Sequence, residues 1–224
     1  MGKPLSLTAA DGHHLGAYRA DPAGPLKGGV VVLQEIFGVN HHIRSVCDRF
    51  AALGYAAVAP ALFDRFARDF QSGYSPDEVA KARQLLTDID SSALVRDTAA
   101  AVEALRPVVP VAVIGFCLGG SIAFRSAASQ EGLAAAICFY GGQIVNFADE
   151  KPRCPTQMHF GENDAHIPMR DVETIRAKRP ECEIYVYPAE HGFYCDERPS
   201  FHAESAAIAW GRSLAFLQRA IGRI

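Results

Sequence analysis

The 224 residues predict an α/β fold, a mainly parallel sheet with helices on both faces, built as one domain over residues 1–224. Three observations carry this. Short apolar runs rich in β-branched residues, such as GVVVL at 29–33, alternate along the chain with stretches of helical spacing, which implies right-handed crossovers between parallel strands. The runs are apolar throughout rather than every second residue, as strands covered on both faces require. With 49% hydrophobic and 21% charged residues, the chain also has the apolar material for one large core.

Taken in order, residues 5–8 and 15–19 alternate apolar and polar around Asp11-Gly12, the pattern of an opening antiparallel pair, and 21–27 with its two prolines is a loop. The strand at 29–33 ends in Gln34-Glu35-Ile36-Phe37-Gly38. Residues 43–53 read as an amphipathic helix closed by Gly54, followed by a short strand at 56–59 that Pro60 ends. Residues 62–74 are irregular and aromatic, a candidate cover for a pocket. Ser75-Pro76-Asp77-Glu78 is a strong helix start, with Ser as cap, Pro in the first turn and Glu three residues after the cap. That helix runs to about 86 and a second fits 92–105. Further buried strands are expected at 134–140 and 156–160 and a last strand at 183–187, with helices at 168–178 and 205–221.

Composition narrows the function. A formal net charge of −3 spread along the chain leaves no basic footprint for nucleic acid or an anionic membrane surface. No apolar run approaches the ~20 residues of a membrane span, and the opening segment lacks a signal-peptide core, so the protein is expected in the cytoplasm. Six cysteines show neither a C-x-x-C pair nor zinc-like spacing and are expected as free thiols. His13, His14, His41, His42 and His202 lack acids at metal-ligand spacing, so no metal is expected.

The chemistry centres on 111–123, VAVIGFCLGGSIA. A strand runs into Gly115-Phe116-Cys117-Leu118-Gly119 and a small-residue helix follows, the strand-turn-helix spacing of a nucleophile elbow with Cys at the apex in place of Ser. The start of a helix favours a thiolate, although a structural Cys beside a tight turn would look the same. A cysteine nucleophile needs a base and a group to orient it. Asp164 follows the strand at 156–160 and His191 the strand at 183–187, so nucleophile, acid and His come in the chain order of the α/β-hydrolase triad, each at a strand end. Read singly, Asp164 could cap the next helix and His191 could be a surface residue before a glycine turn. Glu162 and His166 flank the acid, and His159 within the strand reads as a satisfied core histidine.

The segments QEIFGVN, APALFDR, GFCLGG, FYGG, FGENDAHIP and EHGF, in this order, resemble the dienelactone hydrolase family of α/β hydrolases over nearly the whole chain. The resemblance implies an α/β-hydrolase fold and a carboxymethylenebutenolidase-like cleavage of small esters or lactones. It implies Cys117 as nucleophile, His191 as base and Asp164 as its orienting acid, with no cofactor and commonly a monomer. It also implies that Glu35 interacts with the resting thiol and helps deprotonate it when substrate arrives. A carboxylate at a strand end beside the nucleophile would do this by repulsion or by accepting the S–H bond. The N–H groups of Ile36 and Leu118 are the expected oxyanion donors. The family holds an acidic substrate with arginines, one of them four residues after the catalytic His, where this chain has Cys195. Arg65, Arg68 and Arg198 are possible substitutes, and Phe37, Phe63, Tyr74, Tyr140, Phe193 and Tyr194 could line an apolar pocket. Substrate contacts are therefore expected at Phe37, Arg65, Tyr140 and Phe193. Other functions open to the sequence are a broad carboxylesterase or thioesterase, a non-catalytic binding protein on the same scaffold, and a thiol redox protein pairing Cys117 with a residue such as Cys138.

Overall fold

The computed structural model describes residues 2–86, 89–106 and 110–221. The chain forms two compact units, Met1–Val113 and Ile114–Ile224. Among the described residues the sheet has eight strands, β1 (Lys3–Thr8), β2 (His14–Ala20), β3 (Gly28–Leu33), β4 (Tyr55–Pro60), β5 (Val111–Phe116), β6 (Leu133–Phe139), β7 (Thr156–Gly161) and β8 (Glu183–Tyr187), in the order β1-β2-β4-β3-β5-β6-β7-β8.

In the first unit, β1 (Lys3–Thr8) and β2 (His14–Ala20) form the expected antiparallel pair, with Lys3 opposite Arg19 and Thr8 opposite His14. The strand β3 (Gly28–Leu33) is buried at every position and runs parallel to β4 (Tyr55–Pro60), Gly28 lying opposite Tyr55. Between them, α1 (His41–Ala52) buries Ile43, Val46, Cys47 and Phe50. It starts two residues before the apolar pattern because Asn40 caps it, accepting the Ile43 N–H at 3.3 Å. The helix α2 (Pro76–Gln84) carries the full capping box read from the sequence, Ser75 and Glu78 each accepting the other's backbone N–H. Asp90 caps α3 (Ser91–Glu103), which buries Leu94, Ala101 and Val102.

Residues 62–74 contain one short 3-10 turn, Leu62–Arg65, and a buried carboxylate that organises the rest. Asp64 accepts the Gly16 N–H from β2 and the Asp69 N–H from its own loop, both at 2.8 Å. One bond ties the loop to β2 and the other closes the loop on itself.

In the second unit, α4 (Leu118–Ser129) leads from β5 to β6 (Leu133–Phe139). Then come β7 (Thr156–Gly161), α5 (Met169–Lys178), β8 (Glu183–Tyr187) and α6 (Ala203–Ile221). The pairs β6/β7 and β7/β8 are parallel, with Cys138 opposite Met158 and His159 opposite Tyr185. Aromatic rings fill this core: Phe116 stacks on Tyr194 at 5.2 Å and Phe139 on His159 at 4.4 Å. Among the described residues, no helix is long and apolar enough to cross a membrane.

Candidate active site

Between the last residue of β5 and the first of α4 stands Cys117, at φ 54° and ψ −113°. A left-handed φ at a non-glycine residue costs on the order of 1–3 kcal/mol, and the surrounding backbone enforces it. The Cys117 N–H donates to the Phe139 carbonyl at 3.0 Å. A Cβ at Gly115 would collide with the Gly119 carbonyl, and one at Gly120 with the Phe139 carbonyl, so only glycine lets α4 approach the strands this closely. Cys117 is half-buried at the start of α4, where the first N–H groups, that of Leu118 included, have no acceptor within the helix.

Asp164 and His191 meet beside it. The Asp164 carboxylate is buried in the turn after β7; its Oδ1 accepts the N–H groups of His166 at 2.8 Å and Ile167 at 3.2 Å. Its Oδ2 faces His191 Nδ1 at 2.7 Å. The turn-capping and base-orienting readings of Asp164 are thus both satisfied, one by each oxygen. With Nδ1–H donated to the acid, Nε2 is the ring atom left for the thiol, and the His191 ring is hydrogen-bonded to the Cys117 side chain. Burial alone would push the imidazole down. The Cys117 side chain and the bond to Asp164 outweigh it and raise His191 to about 10.

Tyr140, directly after β6, is also left-handed, at φ 36°, and its ring lies 5.0 Å from that of His191. Fully buried Phe193 packs behind Tyr140 at 5.5 Å and against Tyr187 at 5.2 Å. Tyr140 therefore touches the base, and Phe193 supports Tyr140. His166, exposed, stands edge-on to His191 at 5.1 Å.

Within the first unit, Glu35, Ile36 and Phe37 are all buried. Their loop is stitched to the aromatic segment downstream. The Phe37 carbonyl accepts from the Ser72 N–H at 3.0 Å, Gly38 bridges to Gln71, and Phe37 meets the Tyr74 ring edge-on at 4.7 Å. The Asn40 amide donates to the Ser72 carbonyl at 3.2 Å and to Tyr74 Oη at 2.9 Å. Gly38 sits at φ 75° against the Phe70 carbonyl, where a Cβ would collide. Phe37 is thus an anchor of this loop.

The arginines divide. Arg65, expected at the substrate, donates instead to both oxygens of buried Asp97 at 2.7 Å and to Asp11 at 3.1 Å. A bidentate pair of this kind leaves its guanidinium committed to the protein. Arg68 donates to the His14 carbonyl at 3.2 Å. The guanidinium of Arg198 lies against Gly192, next to His191, where a Cβ would collide with it. A turn brings it there, the Cys195 N–H donating to the Gly192 carbonyl and the Arg198 N–H to the Cys195 carbonyl. Cys195 itself is fully buried.

His159 is the satisfied core histidine that the sequence suggests. Its Nδ1 faces Tyr187 Oη at 2.8 Å, and its Nε2 faces Gln157 Oε1 at 2.9 Å and Ser213 Oγ at 3.1 Å. Gln157 and Ser213 donate their own protons elsewhere, to Glu183 and to the Ala209 carbonyl, which leaves both as acceptors and fixes a neutral ring with its proton on Nε2. Burial, with the Arg212 charge adding to it, lowers its pKa to about 3.

Residues 15–221 match the dienelactone hydrolase family. The chain belongs to that family. A Synechocystis sp. protein provisionally named carboxymethylenebutenolidase is 39% identical over 201 residues, 81% of each chain. A Klebsiella pneumoniae crystal structure, provisionally named dienelactone hydrolase, is 31% identical with a TM-score of 0.81, covering 96% of this chain and 98% of the other. An esterase of Pyrococcus furiosus shares the fold alone, at 17% identity and a TM-score of 0.73, covering 99% of this chain and 93% of the other. The fold is that of the α/β hydrolases, and membership of the dienelactone hydrolase family makes the protein a hydrolase.

Proposed function

We propose that this hydrolase cleaves small carboxylic esters or lactones through a thioester on Cys117. The observation that carries the proposal is the single ring of His191 bonded to Asp164 on one side and to Cys117 on the other, at the apex of a strained elbow. The Cys117 thiolate attacks the carbonyl carbon and the oxygen takes the negative charge. The Leu118 and Ile36 N–H groups are assigned as its donors; loss of one donor in a comparable site costs about 3 kcal/mol. As the intermediate collapses, the alkoxide leaves with the proton from His191 Nε2. His191, neutral again, takes a proton from water, the hydroxide attacks the thioester, and the carboxylic acid departs as the thiolate re-forms. Glu35 is assigned a second proton address for the thiol before substrate arrives. These steps use no cofactor.

Buried Cys195 at the family's arginine position and the committed guanidinium of Arg65 favour a neutral ester over an acidic lactone. Arg198, beside Gly192, is the cation through which an acidic substrate would be held. Cys117→Ala should abolish turnover of p-nitrophenyl acetate with unchanged circular dichroism, and retained activity would refute the mechanism. Arg198→Met should raise KM about tenfold for a carboxylate-bearing lactone and leave a neutral ester unaffected. Equal effects on both would rule out Arg198 as the partner of a substrate carboxylate.

A further inference from the structure

We propose that Gln34 is a positioning residue that aims the Ile36 N–H and thereby sets the strength of the oxyanion site. The inference rests on the role given to Ile36 above. Gln34 follows β3 directly and is fully buried. Its Nε2 donates to the Glu35 carbonyl at 3.2 Å, and its Oε1 accepts the Leu62 N–H at 3.1 Å. The partners dictate which amide atom is which, because reversing the amide would set donor against donor at Leu62 and oxygen against oxygen at Glu35.

The Glu35 carbonyl and the Ile36 N–H belong to one planar trans peptide group and point in opposite directions. A donor that pins the carbonyl therefore fixes where the N–H points. The stitches made by Phe37, Gly38 and Asn40 hold the loop from Phe37 onward, and a peptide group can rotate about its two flanking bonds while its neighbours stay in place. Gln34 closes that freedom from an anchor outside the loop, the first residue of the turn after β4. Donation to the carbonyl also polarises the peptide group and strengthens its N–H as a donor.

Gln34→Met keeps the side chain's bulk and removes both bonds. With p-nitrophenyl acetate, kcat should fall about tenfold or more while KM stays within about twofold, because an oxyanion donor acts on the transition state. Alkylation of Cys117 by iodoacetamide forms no oxyanion, so its rate should stay within about twofold of the parent. Gln34→Glu, which keeps an acceptor for the Leu62 N–H and faces the Glu35 carbonyl with a carboxylate, should show the same split; it takes over the comparison if Gln34→Met does not fold. Unchanged kcat in a folded variant overturns the proposal, as does an alkylation rate that falls in step with kcat. Failure of the underlying mechanism looks different: Cys117→Ala would keep its activity, or iodoacetamide would leave the parent enzyme active.

Discussion

Two histidines of the second unit, His159 in β7 and His191 after β8, are both nearly closed off from solvent and have opposite proton chemistry. His159 sits among a phenol, an amide and a hydroxyl, none of which carries charge, so burial decides and the ring stays neutral. His191 has the Asp164 carboxylate on one side and the Cys117 side chain on the other, and these neighbours overcome burial. The difference teaches that depth alone does not make a base: the sign of the neighbours does.

The largest effect that could break this comparison is in activity. Asp164→Asn keeps the shape of the turn and removes the charge that stabilises the imidazolium, so kcat/KM should fall by roughly 10²–10⁴. His159→Gln should leave kcat/KM within about threefold, since that ring touches neither thiol nor acid. Steady-state kinetics on one ester checks both, and comparable losses in the two variants would erase the distinction.

Stability against pH comes next. The folded pKa of His159 lies below the ordinary 6.5, so the unfolded chain binds the extra proton and stability falls as pH drops from about 6.5 toward about 3. The slope is about 1.4 kcal/mol per pH unit, so roughly 2 kcal/mol is lost between pH 6.5 and 5. The folded pKa of His191 is raised, so its contribution is complete below 6.5 and fades as pH rises toward about 10. Urea midpoints across pH should therefore lose their acid slope in His159→Gln and their alkaline slope in His191→Gln. The smallest effect concerns the elbow. Cys117→Gly should destroy activity and raise stability by about 1 kcal/mol by relieving the left-handed backbone, read as a higher thermal midpoint. An unchanged or lower midpoint would show that the strain is offset by the side chain's contacts.

Much of this was legible in the residues because local chemistry and global fold agree. The capping box at Ser75, the antiparallel pair around Asp11-Gly12, and the order Cys117, Asp164, His191 all depend on short-range patterns. The helix α1 starts two residues before its apolar pattern because a polar cap, not an apolar face, begins a helix. Arg65 could not be placed because its partner Asp97 lies 32 residues away on α3, and charge pairing at that distance leaves no periodic trace. Tyr140 stands out in the sequence only as one pocket aromatic among several, and Gln34 carries no signal of its own; a buried amide aimed at a peptide and a tyrosine in a glycine-like conformation exist only once strands are laid side by side.

The distribution of thiols also makes the protein convenient to handle. Cys47, Cys138 and Cys195 are sealed in the core, and burial pushes the half-buried Cys154 and Cys182 up to about 11 and about 12. A thiol-selective tag at neutral pH should therefore add once, at Cys117, and intact mass measurement should count a single adduct. The wild-type sequence thus comes ready for site-specific attachment of a fluorophore or affinity handle, with no cysteine to remove first.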